Sequence, residues 1–564
     1  MIPPIHAPTA ISRIGLVAIA LLVSLPFLIP EHTSPIPSFH AEWVAAVLGL
    51  VAGLTLIGAH RLPVPGAALL ALALAATVLV QGALDRAPVP QLSLLFGLYL
   101  LWAALLACTG RHLAESCGQA RLARVLATAL LAGSVLVALA SLLQPWLAGA
   151  GWSGFAPRAG GPIGQLNHLS SYLWLGLASA LYLRSTDDLN KPLFWSAAIL
   201  LTLTTVMVGQ RSSFIYALAL ICIAVWQGRG VSAGRLAESR RRALSVGLLF
   251  LLLQPLPHVL PSVYEGGTPP PPALRAMQQI AGPSIRLQLL RVAAEGIKSA
   301  PWLGSGIGSF PGMALANSEK IPPEDNPGPA EHAHNLLLDL AAELGLPAAA
   351  LALLGAGLWL WRLPQRTAPV DVAWATGVVT ILGLHSMIEY PLWHSYFLGL
   401  LMLVAGAFGA SRPIGRRLTA IVLVIGLIAW GTLSLGELRR DYRLLETALA
   451  LGKHPATLPQ AQTTLLRIPH TSLLSPWVST TACVSLDPLR VPMVDGLTVC
   501  RIAMNFAPTI ESAVHMAVLL WRSGDTLEAR ELLRRLRQAS QNNPGGIDAL
   551  LAPLTTRDPR LGEL

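Results

Sequence analysis

Five short stretches carry the side chains that could do chemistry. In "EHAHNLLLDLAAELG", His332 and His334 precede Asn335, Asp339 and Glu343, which recur every fourth residue. That spacing sets the last three on one stripe of an otherwise apolar helix, a face turned toward protein rather than lipid. A neutral imidazole is the natural proton acceptor near pH 7. Two histidines with no third converging ligand do not make a zinc site, so no metal is expected. Capping or packing is the ordinary alternative for either histidine alone.

Arg211 lies in "GQRSSFI", in a tight turn between two apolar runs. It either snorkels to headgroups or binds an anion. In "PSIRLQLLRVAAEGIKSA", Gln288, Arg291, Glu295 and Lys298 cluster on one face of a helical wheel. Arg286 falls on the opposite side, with Leu290, Ala293 and Ile297, where a cation needs an anionic or buried partner. Arg291 is thus expected to be the solvated counterpart. In "RAGGPIGQLNHLSSYL", Gln165, Asn167 and His168 open an apolar run, with Asn167 either a helix N-cap or part of a binding surface. In "LHSMIEYPLWHSYF", His385 and Glu389 share a helix face and Tyr390 and Pro391 follow. They form either a local helix-end pair or the rim of a cavity.

The elements that must position these groups are membrane helices. The 564 residues are 53% hydrophobic and only 12% charged, against about 25% charged in soluble domains. Apolar runs long enough to span a bilayer fall at 11–30, 40–59, 64–84, 91–109, 121–144, 168–184, 192–209, 212–228, 243–260, 335–361, 371–390, 394–411 and 418–436. About 13 spans are expected, within a range of about 12–14. Arg13 precedes the first run and no small-residue cleavage site follows, so that run is expected to be a retained anchor.

Lys and Arg gather in alternate loops: Arg13, Arg61, Arg111 to Arg124, Arg184 with Lys191, Arg229 to Arg242, Arg362 with Arg366, and Arg412 to Arg417. The other short loops hold only Arg86, Arg158 and Arg211. The basic set is cytoplasmic by the positive-inside rule, and an odd number of spans puts residues 437–564 outside. The net charge of +10 reflects this bias. It is not a nucleic-acid footprint, because the basic residues do not join aromatics on one soluble face.

The chain divides into an N-terminal transmembrane region (1–260), a large loop (261–334), C-terminal transmembrane helices (335–436) and a small helical soluble domain (437–564). In the last, "AVHMAVLLWRSGDTLEARELLRRLRQA" reads as two antiparallel helices turning at Ser523, Gly524 and Asp525, similar to a tetratricopeptide hairpin. Cys483 and Cys500 can pair there if the domain lies outside the cytoplasm. All five chemistry-bearing stretches fall on the non-cytoplasmic side. Arginine forks match phosphate oxygens. Diphosphate recognition combined with a base at the outer face of a membrane points to reaction of a lipid diphosphate.

With these residues in hand, a family resemblance is evident. "EHAHNLLLDLAAELGLP" resembles the His-Asn signature of the O-antigen ligase/polymerase (Wzy-C) superfamily. "GPIGQLNHLSSYL" and "LHSMIEYPLWHSYFLG" resemble more specifically the bacterial protein O-oligosaccharyltransferases of the PglL type. The resemblance implies an all-α polytopic enzyme of the bacterial inner membrane with its active site facing the periplasm. It implies an undecaprenyl-diphosphate-linked glycan as donor, without metal, nucleotide or other cofactor. The acceptor is expected to be a protein hydroxyl, with pilin-like proteins the family-based guess. The family's essential histidine falls on His334 and its phosphate-binding arginines on Arg211 and Arg286. Its Gln-x-Asn-His and Glu-Tyr-Pro segments fall on Gln165, Asn167, His168, Glu389 and Tyr390. His332, Asn335 and Asp339 are further candidates for substrate binding, Asn335 and Asp339 either orienting His334 or meeting the glycan. The alternatives are an O-antigen ligase acting on lipid A-core, an O-antigen polymerase and, from another class, a lipid-linked glycan transporter. No inverted repeat or midplane charged pathway supports the transporter.

Overall fold

Leu- and Ala-rich runs in lipid must satisfy every backbone polar group within the segment, which leaves the helix as their stable form. A computed structural model describes residues 10–149, 160–227, 234–258, 285–317, 320, 330–362, 370–539 and 544–564. The N-terminal helices are α1 (Ala10–Leu22), α2 (Phe39–Gly53), α3 (Gly66–Ala83), α4 (Pro90–Cys117), α5 (Gln119–Gly149), α6 (Leu166–Ser185), α7 (Lys191–Val208), α8 (Ser212–Gln227) and α9 (Arg235–Leu252). Next come α10 (Ile285–Ser299), α11 (Phe310–Ala316), α12 (Leu336–Leu344), α13 (Leu346–Arg362), α14 (Val370–Ser386), α15 (Ser395–Phe408) and α16 (Arg417–Gly452). The tail holds α17 (Leu458–Leu465), α18 (Ser475–Ser485), α19 (Met493–Phe506), α20 (Ile510–Ser523), α21 (Thr526–Ala539) and α22 (Pro544–Arg557). The protein is an all-α polytopic membrane protein.

Among the described residues, seven helices are long and apolar enough to cross a bilayer: Ala10–Leu28, Phe39–Gly58, Gly66–Ala83, Pro90–Cys117, Gln119–Gln144, Lys191–Val208 and Arg417–Gly452. Shorter apolar helices cover Ser212–Trp226, Leu346–Arg362, Val370–Ser386 and Ser395–Phe408. The expected span 168–184 is α6, whose Ser and Tyr content lowers its hydropathy. All its residues but Leu166, Asn167 and Arg184 are buried in protein. The expected span 243–260 coincides with the apolar second half of α9, and residues 259–260 lie outside the described set.

The run 335–361 differs from expectation. It breaks at Gly345, whose φ of +92° ends α12. A Cβ there would lie 2.2 Å from the Trp302 carbonyl oxygen, so the backbones meet where only glycine fits. The nine-residue α12 is about 14 Å long at 1.5 Å per residue, too short to span. The membrane segment therefore starts with α13.

The chain forms two compact units. The first comprises residues 1–72, 101–282 and 354–435. Its centre is α6, packed by α5, α7, α8 and α14. The Phe27 ring stacks on Tyr172 at 3.8 Å and meets Tyr396 and Phe397 edge-on. At Gly110 and Gly406, α4 and α15 approach so closely that a Cβ would strike the opposing backbone, the usual way small residues let membrane helices pack. A feature not read from the sequence is a two-stranded antiparallel sheet, β1 (Leu62–Pro65) with β2 (Ser411–Ile414), pairing Leu62 with Ile414. It joins two loops that the charge rule places in the cytoplasm.

The second unit comprises residues 73–100, 283–353 and 436–564. Helix α10 packs on α12 around Val292, Ala293, Phe310, Met313, Ala314, Ala333 and Ala342. Helix α11 packs on α19 of the tail, with Gly312 against the Asn505 backbone. The described loop helices α10 and α11 and the tail thus belong to one folded body. In the tail, α20 and α21 form the expected hairpin, with Gly524 in the left-handed conformation at its turn. Cys483 and Cys500 form a disulfide between α18 and α19.

Candidate functional site

In the first unit, the turn Gly160–Gly164 uses left-handed glycines to deliver the chain into α6. The N-cap of α6 is Gln165 rather than Asn167: its Oε1 accepts the His168 N–H at 3.1 Å. That frees Asn167, whose amide donates to Glu389 Oε1 at 2.6 Å. Gln165 Nε2 donates to Glu389 Oε2 at 3.5 Å. The "QLNH" and "IEYP" stretches, 222 residues apart, therefore meet through one carboxylate, and Glu389 is buried as their common acceptor. His385 does not pair with Glu389 through its side chain. Its ring is fully buried 5.2 Å from His168.

His168 lies at the centre of a ring cluster. His385, Tyr390, His394 and Phe397 surround it at 4.7–6.4 Å between centroids. Nε2 of His168 and both ring nitrogens of His385 are buried with no hydrogen-bond partner among the described residues. Such atoms are costly to leave dry. Arg211 is half-buried in the α7–α8 turn, after Gly209 in the left-handed conformation. Two residues on, Ser213 shares a 2.8 Å hydroxyl–hydroxyl bond with Ser170, which itself lies two residues after His168. That bond fixes the turn carrying Arg211 to the start of α6.

In the second unit, His334 has φ of +53°, one of three described non-glycine residues in the left-handed region, with Asp85 and Asp187. Such backbone costs about 1–3 kcal/mol and persists only where neighbours over-determine it. The neighbours here are the polar stripe. Asn335 is the N-cap of α12, its Oδ1 accepting the Leu338 N–H at 3.2 Å. Asp339 Oδ1 accepts the Ala333 N–H at 2.7 Å, and its Oδ2 stands 4.0 Å from His332 Nδ1. Glu343 Oε1 accepts the Phe310 N–H at 3.1 Å, at the start of α11. Its carbonyl takes the Gly306 N–H and the Gln81 amide. The stripe thus bonds the loop before and beside α12. Asn335 and Asp339, expected either to orient His334 or to meet the glycan, each accept a backbone N–H through Oδ1, from Leu338 and Ala333 respectively.

Both acids lie outside the spanning segments. Burial pushes the Asp339 carboxyl up to about 7, opposed by the Ala333 hydrogen bond and by His334. Burial, then the neighbouring Asp339 charge, pushes Glu343 up to about 8.

Arg286 is the second residue of α10 and is exposed, as is Arg291. The wheel is corrected in two respects. Gln288, expected on the solvated stripe, is buried. The buried face runs through Leu289, Val292, Ala293 and Gly296, so Arg286 flanks it from the helix end instead of sitting at its centre. Among the described residues no three His, Cys, Asp or Glu side chains are grouped to hold a metal.

Two further residues escaped the sequence reading. Glu42, in the first turn of α2, bonds His394 Nδ1 at 2.8 Å and the Ser395 N–H at 2.6 Å. A lone glutamate entering an apolar span was the available signal.

The geometry describes a polytopic membrane protein with histidine, arginine and amide clusters at helix ends. Residues 196–353 match the family described as O-Antigen ligase, and residues 373–543 match Virulence factor membrane-bound polymerase, C-terminal. The general O-oligosaccharyltransferase of Acinetobacter baylyi (strain ATCC 33305 / BD413 / ADP1) is 25% identical over 459 residues, spanning 78% of each chain. The chain therefore resembles the protein O-oligosaccharyltransferases of the O-antigen ligase superfamily, as its motifs indicated.

Proposed function

We propose that this protein transfers a preassembled glycan from undecaprenyl diphosphate to Ser or Thr hydroxyls of proteins, pilin-like ones among them, at the periplasmic face of a bacterial inner membrane. The observation that carries the reading is His334, an imidazole in left-handed backbone between the Asp339–Ala333 bond and the Asn335 cap. Strain maintained by a dedicated network is a mark of functional positions.

In this reading His334 takes the proton of the acceptor hydroxyl as its oxygen attacks the anomeric carbon. The bond from that carbon to the diphosphate oxygen breaks, and its electron pair leaves with the lipid diphosphate. Arg211 and Arg286 bind the diphosphate and stabilise the charge that grows on it. A single displacement inverts the anomeric centre. Glu389 holds Gln165 and Asn167 in place for the glycan, with His168 and Tyr390 beside them. The Cys483–Cys500 disulfide supports a tail outside the cytoplasm.

The O-Antigen ligase match over 196–353 favours a second reading, with lipid A-core as acceptor. The experiment is the intact mass of a pilin-like protein co-expressed with wild type or His334→Ala, in a host that supplies lipid-linked glycan and lacks other ligases. A glycan-sized gain with wild type alone supports protein O-glycosylation and the base. Glycan on the lipopolysaccharide core instead supports the second reading. Near-normal transfer by His334→Ala removes the histidine from the chemistry.

A further inference from the structure

We propose that Glu42 and His394 form a hydroxyl-binding subsite, in which Glu42 orients the His394 ring and Nε2 accepts a hydrogen bond from a substrate hydroxyl. The inference rests on the glycan-transfer reading and adds two residues that it does not use.

Glu42 and His394 are 352 positions apart and meet at 2.8 Å through Nδ1. The carboxylate is held on both oxygens, Oε1 by His394 and Oε2 by the Ser395 N–H, and the Glu42 backbone carbonyl separately accepts the Ser395 hydroxyl at 3.2 Å. A carboxylate can only accept, so Nδ1 carries the proton, and the tautomer this selects has its lone pair on Nε2. Nε2 has no hydrogen-bond partner among the described residues, and the side chain keeps 17% of its exposure. His168 lies 4.7 Å away between ring centroids, and its buried Nε2 is also unpartnered. The rings of Tyr390 and Tyr396 lie roughly parallel to that of His394, at 6.1 and 5.4 Å between centroids. Imidazole acceptors among aromatic rings suit a hydroxyl-bearing, partly apolar group. A sugar ring or a Ser/Thr side chain supplies it.

Glu42 also serves Ser395, at the first turn of α15, so capping is the competing explanation. Substitution by glutamine separates the two. An amide offers one acceptor oxygen, so Glu42→Gln serves either the Ser395 N–H or the His394 Nδ1–H. If it serves Ser395, its NH₂ faces Nδ1 and drives the proton to Nε2, abolishing the acceptor there.

The test is initial-rate transfer by full-length solubilised protein, with lipid-linked glycan and acceptor protein varied in turn, alongside thermal midpoints. His394→Ala should raise KM for one substrate about tenfold, the scale of one lost hydrogen bond, with little change in midpoint. Glu42→Gln should act in the same direction, and the double variant should match His394→Ala. A raised glycan KM assigns the subsite to the sugar; a raised acceptor KM assigns it to the Ser/Thr hydroxyl. Both KM values within twofold of wild type, or a loss confined to the midpoint, overturn the proposal. If His394→Ala fails to accumulate, His394→Gln is measured in its place, and failure of both assigns the residue to folding and overturns it. Absence of transfer by wild type itself refutes the glycan-transfer reading instead.

Discussion

Asp339→Ala tests whether the loop around His334 is held as described. The carboxylate is 1% exposed and its Oδ1 is the acceptor for the Ala333 N–H at 2.7 Å. Ala333 is itself buried at 1%, so its N–H has no direct access to bulk water. An orphaned buried N–H costs about 1–3 kcal/mol. The left-handed conformation of His334 costs about the same, so the lost bond is comparable with the strain it restrains. The ratio of competent to released loop should fall by roughly 5- to 100-fold, at about 1.4 kcal/mol per tenfold. Transfer should drop by up to that factor, and the midpoint should drop with it. Asp339→Asn keeps an acceptor oxygen of the same reach and should stay within about threefold of wild type. The assay is initial-rate transfer to a protein acceptor at saturating lipid-linked glycan. Asp339→Ala within twofold of wild type refutes the positioning argument. So does an Asn variant as impaired as the Ala variant, because the carboxylate would then matter for its charge and not for the Ala333 bond.

His334→Gly should abolish transfer and leave the protein at least as stable, because relief of about 1–3 kcal/mol of strain offsets the added freedom of glycine in the unfolded chain; a clear fall in midpoint would refute the strain. Arg286→Ala should raise KM for the lipid-linked donor more than about tenfold while Arg291→Ala is mild, with stability within about 0.5 kcal/mol for both exposed sites; equal kinetic effects would end the distinction between them. The folded-state value of about 8 for Glu343 lies above its unfolded 4.5, so the folded state binds the extra proton between them. Its contribution to stability is complete below about 4.5 and lost as pH rises through about 8. Midpoints should therefore decline over that window, and Glu343→Gln should flatten the decline. Replacing Cys483 and Cys500 together by alanine removes a cross-link of sequence separation 17 and should cost about 3 kcal/mol, read as a lower midpoint for the tail-containing unit.

Much of the fold was legible because lipid imposes simple rules. Apolar length located the helices, and Gly524 located the tail hairpin, since each depends on local composition. The break at Gly345 was missed although its signal was present: Gly345 followed two residues later by Pro347 is a helix-stop pattern, outweighed in the reading by the continuous apolar run 335–361. What the sequence did not offer is the partner, the Trp302 carbonyl that a Cβ at Gly345 would strike. Pairing of β1 with β2 was hidden altogether: residues 62–65 read "LPVP" and 411–414 read "SRPI", each with proline and too short for a period-two pattern.

The candidate site was legible in its residue types more than in their employment. Periodicity placed Asn335, Asp339 and Glu343 on one face and correctly turned that face toward protein. It could not say that the partners are backbone N–H groups, since any helix interior and any loop offers those. The same limit applies to Asn167, which looked like a cap by position, whereas the cap fell two residues earlier on Gln165 and released Asn167 to Glu389. Arg286 was isolated by its angle on the wheel, but an angle carries no information on whether the helix has begun to be covered at that turn. Glu42 and His394 went unseen because each is bland in its own segment and gains meaning only from the other. The polar groups that open α12 thus have one physical explanation. Carboxyl and amide side chains are retained in an apolar helix because they bond the backbone on either side of His334, and that bonding holds the imidazole in a conformation the chain would otherwise leave.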